Sequence, residues 1–187
     1  MDFEKKYTKK DILIIGGGTS TNDVKWENVI NDNTFIWSCN DFYLNKRVTD
    51  QNLDLYQLAY TTDLYDKSLI SYLNKVKPFT YFEPQHFRNK WQTEEFKIFK
   101  SNIEYDTYAM NIDIGQLNYS IGQRAGAVLR LITLALSTYA SNIYFAGFDG
   151  FNKDFSNSHA FSGHKGLKDT DTRRDWEKDY YNVFMEA

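Results

Sequence analysis

An α/β domain with a mainly parallel sheet flanked by helices is the fold class this sequence predicts, on three observations. Short apolar runs of strand length alternate with helix-length segments almost throughout. The strand-like runs DILII, TFIWSCN and NIYFA each end in turn chemistry, as GGG, ND and GFDG. The segment QRAGAVLRLITLALSTY is apolar around most of its circumference, as a helix covered by a sheet must be.

Each element follows in order. Residues 11–15 (DILII) form an apolar run closed by Gly16, Gly17 and Gly18, the pattern of a buried parallel strand. STNDVKWENVI offers Ser20, Thr21, Asn22 and Asp23 as caps for a short helix. Residues 34–40, rich in aromatic and β-branched side chains, read as the second strand, and 53–61 as a third. A helix is expected over 67–76, a strand over 79–82 closed by Pro84, and a surface helix over 85–100, where Phe87, Trp91, Phe96 and Phe99 stand between charges. The buried helix spans 123–139, a strand follows at 142–146, and TDTRRDWEKDYYNVFME at 170–186 reads as an amphipathic helix with a Thr or Asp cap. The end of the chain, YYNVFMEA, carries no glycine or asparagine cap, so either a last strand is lacking or the chain is a fragment.

Composition narrows the function. A chain of 187 residues, 42% hydrophobic, suits one domain with one core. Residues 1–10 read as a charged tail and 11–187 as the domain. A net charge of −3 with dispersed basic residues provides no cationic stripe for nucleic acid. One cysteine, Cys39, excludes an internal disulfide and a cysteine-based zinc site, and suits a reducing, cytoplasmic setting. No run approaches the ~18 apolar residues of a membrane span.

In such folds ligands gather at the carboxyl ends of the strands, where the chemistry-bearing residues lie. The GGGTS turn (Gly17, Gly18, Ser20) lets backbone approach a phosphate or a sugar, although the strict G-x-G-x-x-G spacing is missing and a merely tight turn has the same composition. Asn40 ends the second strand with an amide that both donates and accepts. NYSIGQRAG places Ser120, Gly122, Gln123 and Arg124 at the start of the buried helix, as an anion seat or as a cap with a solvated arginine. Gly147 and Asp149 follow the strand at 142–146. SNSHAFSGHKG then brings His159 and His164 into one loop. Two histidines without a third ligand make a poor zinc site, whereas an imidazole titrating near neutrality suits acid–base work. His86, in EPQHFRN, is read as a surface residue.

Taken together, these pieces resemble the bacterial sialyltransferases of glycosyltransferase family 42, with the pterin diphosphokinase-like domains as the wider group. The family's IIAGNGPSL is answered by IIGGGTST, its CNQFYF by CNDFYL, its SGIDFY by AGFDGF, its SSYAF by NSHAF and its GHSKNTD by GHKGLKDTD. The resemblance implies a Rossmann-like fold and an inverting transfer of an acidic sugar from a CMP-activated donor to a glycan hydroxyl, with no cofactor and no metal. It gives His164 the place of the general base and His159 that of a tyrosine that binds the leaving phosphate. Asn40, Gly18 and Ser20 match the donor site. Three features depart from the family: Gly17 replaces an asparagine, Phe151 replaces a second phosphate-binding tyrosine, and the lid between the last two motifs is nearly absent. A diphosphokinase-like phosphoryl transferase and a nucleotide-binding module without turnover are the alternatives. Acceptor and linkage stay open, as does a homo-oligomeric state.

Overall fold

The structure, a computed structural model, describes residues 3–46, 53–58, 67–82, 110–114, 117–121 and 127–149. Five parallel strands form one sheet: β1 (Asp11–Ile15), β2 (Thr34–Cys39), β3 (Leu53–Leu58), β4 (Phe79–Phe82) and β7 (Asn142–Ala146), in the order β4-β3-β2-β1-β7. All four pairings are parallel, and β1 lies centrally with Leu13 between Ile36 and Tyr144. A separate antiparallel pair, β5 (Met110–Ile114) and β6 (Leu117–Ile121), was not anticipated.

Alternation along the strands assigns each side chain to a layer. Ile12 and Ile14 of β1, Trp37 of β2 and Leu55 of β3 face helix α4 (Ala127–Ser137), which buries Leu129, Leu131, Ile132, Leu134 and Ala135 against them. Leu13, Ile15, Ile36 and Tyr56 face the other way, onto Leu69 and Leu73 of α3 (Lys67–Val76) and Trp26 and Val29 of the short α2 (Trp26–Val29). Helices thus cover both faces, the doubly wound arrangement that buried parallel strands require. Helix α3 ends at Lys77, whose positive φ of 51° lets its N–H reach the Leu73 carbonyl at 2.8 Å.

The segment read as a charged tail contains a helix, α1 (Phe3–Tyr7), and Tyr7 is completely buried. Its ring meets Phe35 and Trp37 edge-on, at centroid distances of 5.2 and 5.0 Å. Beside it, Lys6 lies over the rings of Tyr7, Phe35 and Phe79 and reaches Asp54 Oδ1 at 3.3 Å. Asp54 occupies the register shift between β2 and β3, where its Oδ2 accepts the Ile36 N–H at 3.0 Å in place of a ladder carbonyl. The described part of helix α4, Ala127–Ser137, falls inside the span expected at 123–139. Of the residues expected to cap a helix, Ser20, Thr21 and Asn22 instead lie in a 3₁₀ turn over Thr19–Asn22 that Asp23 ends, and α2 starts later, after Lys25, with no side-chain cap.

Candidate functional site

The strand order carries the first functional statement. From β1 the chain steps outward through β2, β3 and β4, then returns by α4 to lay β7 on the other side of β1. Strand order thus reverses at β1, which has β2 on one side and β7 on the other, and in open parallel sheets the ligand crevice lies at the carboxyl ends of the strands beside such a point. Both glycine turns stand at this point, 16–18 after β1 and 147–149 after β7.

The two turns are bonded to each other. The Gly16 N–H donates to the Ala146 carbonyl at 2.8 Å, and the Gly18 N–H to the Gly147 carbonyl at 2.9 Å. No side chain fits between them: a Cβ on Gly16 would stand 2.5 Å from the Gly147 oxygen, and one on Gly147 would stand 2.5 Å from Thr21 Cγ2. Gly147 also has φ +70°, in the region that side chains disfavour. Thr21 is held in turn, its hydroxyl donating to the Gly18 carbonyl at 2.8 Å. These glycines are thus needed for the contact between the turns.

Asp149 joins the turns a second time. Its Oδ2 accepts the Ser20 N–H at 2.8 Å and the Thr19 hydroxyl at 2.9 Å, while Oδ1 accepts the Ser20 hydroxyl. Partial burial pulls this carboxyl upward, but the hydrogen bonds from Ser20 and Thr19 together outweigh it and hold the group below its ordinary value. The carboxylate is the stable form.

One strand over, the end of β2 completes the near wall. Asn40 takes a positive φ of 50°, a conformation asparagine tolerates, and turns the chain into the 3₁₀ segment Asn40–Leu44. The buried Tyr56 of β3 fixes this turn by donating its hydroxyl to the Asn40 carbonyl. Beneath it, Ser38 donates to the Ile15 carbonyl at 2.6 Å and ties β2 to the end of β1. At the neighbouring half-buried Cys39, burial of the thiol, and after it the charge of Asp41, push the group up to about 12, which favours the protonated form. Among the described residues no cluster of three or more His, Cys, Asp or Glu side chains could hold a metal, and no helix is long and apolar enough to cross a membrane.

Of the residues expected at the site, the structure brings Gly17, Gly18, Ser20, Gly147 and Asp149 together at the switch point and sets Asn40 at the adjacent strand end. Ser120 is a correction. It lies within β6, opposite Asn111 of β5, and not at the start of α4, so it caps no helix there. Strand pairing, read from the alternation of Leu117, Tyr119 and Ile121, overrides the capping tendency of a serine. Gly122, Gln123, Arg124, His86, His159 and His164, with the helices expected over 85–100 and 170–186, lie outside the described residues. Two supports have roles the sequence did not reveal: Thr21, read only as a helix cap, and Tyr56, for which no local signal exists.

No protein-family model and no curated protein sequence matches the chain. Solved structures do. The monofunctional alpha-2,3-sialyltransferase Cst-I from Campylobacter jejuni superposes with a TM-score of 0.57 over 95% of this chain and 72% of that one, at 10% identity. The sialyltransferase CstII from the same organism, in complex with the substrate analogue cytidine-5'-monophosphate, gives a TM-score of 0.44 over 96% of this chain and 78% of that one, at 11% identity. What is shared with Cst-I at this identity is the fold: an α/β Rossmann-like sheet of parallel strands with helices on both faces.

Proposed function

We propose that this chain is a glycosyltransferase resembling the inverting sialyltransferases, moving an acidic sugar from a CMP-activated donor to a glycan hydroxyl without a metal. The observation that carries the proposal is the joined pair of glycine turns at the β1/β7 switch point, with Asn40 on the next strand end. It supports the reading because Gly18, Ser20 and Asn40, which match the family's donor-site motifs, follow the carboxyl ends of the neighbouring strands β1 and β2.

In this mechanism His164 acts as base. Its imidazole takes the proton of the acceptor hydroxyl as that oxygen attacks the anomeric carbon from the face opposite the phosphate. The bond between the anomeric carbon and the phosphate oxygen breaks, its electron pair leaves with CMP, and configuration inverts. His159 donates a hydrogen bond to the departing phosphate. The backbone of the glycine turns and Asn40 bind and orient the nucleotide end of the donor.

The test is CMP release from CMP-sialic acid with a glycan acceptor, with and without excess EDTA, beside AMP formation from ATP. Release that survives the chelator supports the proposal. Chelator-sensitive AMP formation without CMP release assigns a metal-dependent phosphoryl transfer instead. CMP binding with neither release makes the chain a nucleotide-binding module.

A further inference from the structure

Glycine turns that lead from a first strand into a helical turn commonly seat a phosphate on their free N–H groups. Here the Gly16 and Gly18 N–H groups are bonded to the Ala146 and Gly147 carbonyls, and the donors that follow them are already taken. The Ser20 N–H and the Thr19 and Ser20 hydroxyls converge on one point, and the Asp149 carboxylate fills it. The occupant is delivered by a rigid arm: Gly147 accepts the Gly18 N–H at 2.9 Å, and Asp149 follows two residues later. Gly18 provides the room, since a Cβ on it would lie 2.6 Å from Asp149 Cγ. Hydrogen bonds hold the carboxyl below its ordinary value of 3.8, and it is charged at neutral pH.

From this geometry we propose that Asp149 is a specificity-determining residue that closes the glycine turn to phosphate, so that the turn receives an uncharged, hydroxyl- or amine-bearing part of a ligand. A phosphate arriving at the turn would find its donors engaged and a like charge in its place. A donor-capable group meets the opposite situation, because a carboxylate offers about four acceptor sites and three are occupied here. This assignment deepens the proposed function and rests on it for the ligand's identity: the nucleoside lies at the β1 turn, and the single phosphate of a CMP-sugar points away from it. Nucleoside di- and triphosphates then gain nothing at this turn, which sets the chain apart from folds that grip a polyphosphate with the first glycine turn.

The test compares the wild-type chain with Asp149→Asn, which keeps the shape and removes the charge, and Asp149→Ser, which vacates the position. Calorimetry with cytidine, CMP and CTP is run beside ¹⁵N-amide titration of Ser20 with inorganic tripolyphosphate, and thermal unfolding checks that each variant is folded. For the wild type, CTP should bind no more tightly than CMP, and the Ser20 amide should stay unmoved by tripolyphosphate. In the variants CTP should gain roughly tenfold or more over CMP, the scale of one removed like charge near a protein surface, and the Ser20 amide should shift. Variants that are folded and bind CTP and tripolyphosphate no better than the wild type overturn the proposal. So does a wild-type Ser20 amide that already shifts with tripolyphosphate, a result available even if neither variant folds. Failure of the wild type to bind any cytidine compound refutes the nucleotide reading of the crevice, while the tripolyphosphate titration still decides what Asp149 does.

Discussion

Gly147→Ala is the sharpest perturbation of the crevice floor, since one added methyl acts twice. The residue has φ +70°, a left-handed conformation that costs an L side chain roughly 1–2 kcal/mol. The new Cβ would also stand 2.5 Å from Thr21 Cγ2 and 2.7 Å from the Gly16 oxygen. The second neighbour is backbone, bonded into the end of β1, and cannot swing aside as a side-chain tip can. Overpacking of this kind costs about 1–3 kcal/mol, so the sum is a destabilisation of roughly 2–5 kcal/mol. For a domain of this size each kcal/mol lowers Tm by about 2–4 °C, which puts the shift at roughly 4–20 °C. Urea unfolding of the wild type, Gly147→Ala, Thr21→Ser and the double variant measures it. Thr21→Ser removes Cγ2 but keeps the hydroxyl that donates to Gly18, so the double variant should recover part of the loss as a coupling of about 0.5 kcal/mol or more. A Gly147→Ala variant within about 0.5 kcal/mol of the wild type, the range of an inert surface change, would refute the close contact between the turns.

Further outcomes follow from groups around the core. Gln57 is fully buried on β3 and neither atom of its amide has a hydrogen-bond partner among the described residues, so Gln57→Met should raise stability by about 1–3 kcal/mol in urea unfolding. A loss of that size would mean the amide is engaged. Burial raises the Asp54 carboxyl against the lowering effects of Ile36 and Lys6, so its contribution is present at low pH and is lost as pH rises through the folded value. The stability difference between wild type and Asp54→Asn should accordingly move toward the wild type as pH falls to about 4. Asp149 titrates with the opposite sign: its hydrogen bonds contribute above the ordinary value of 3.8 and are lost as pH falls through the lowered folded value. Relative to Asp149→Asn, the wild type should lose its advantage only in that acidic window, as followed by thermal unfolding across pH.

Much of this fold was legible because its strands are short apolar runs stopped by glycine, asparagine or proline. DILII, TFIWSC, FTYF and NIYFA carry β1, β2, β4 and β7 at the expected places, and KSLISYLNKV carries α3. Helix α1 was missed because its lysines conceal the single residue that matters, the buried Tyr7. The β5–β6 pair had a signal: Met110, Ile112 and Ile114 alternate, as do Leu117, Tyr119 and Ile121, with Gly115 and Gln116 between the runs. It was lost because Ser120 and the glycine after it also look like the start of a helix. At the site the residue types were readable and their relations were not. Ser20 and Asp149 stand far apart in the chain, so their contact depends on β1 and β7 pairing, which no local pattern encodes. The same holds for Tyr56, whose hydroxyl reaches Asn40 only because β3 lies beside β2.

The central claim, transfer from a CMP-sugar with His164 as base, is tested most directly by CMP release from CMP-sialic acid by the wild type and His164→Ala, with CMP binding measured on both. Release by the wild type, a fall of ~10²-fold or more in the variant, the scale of a positioned acid–base group, and an unchanged affinity for CMP are the results expected. Equal turnover by the two proteins, or no CMP release by a wild type that is folded, would contradict it.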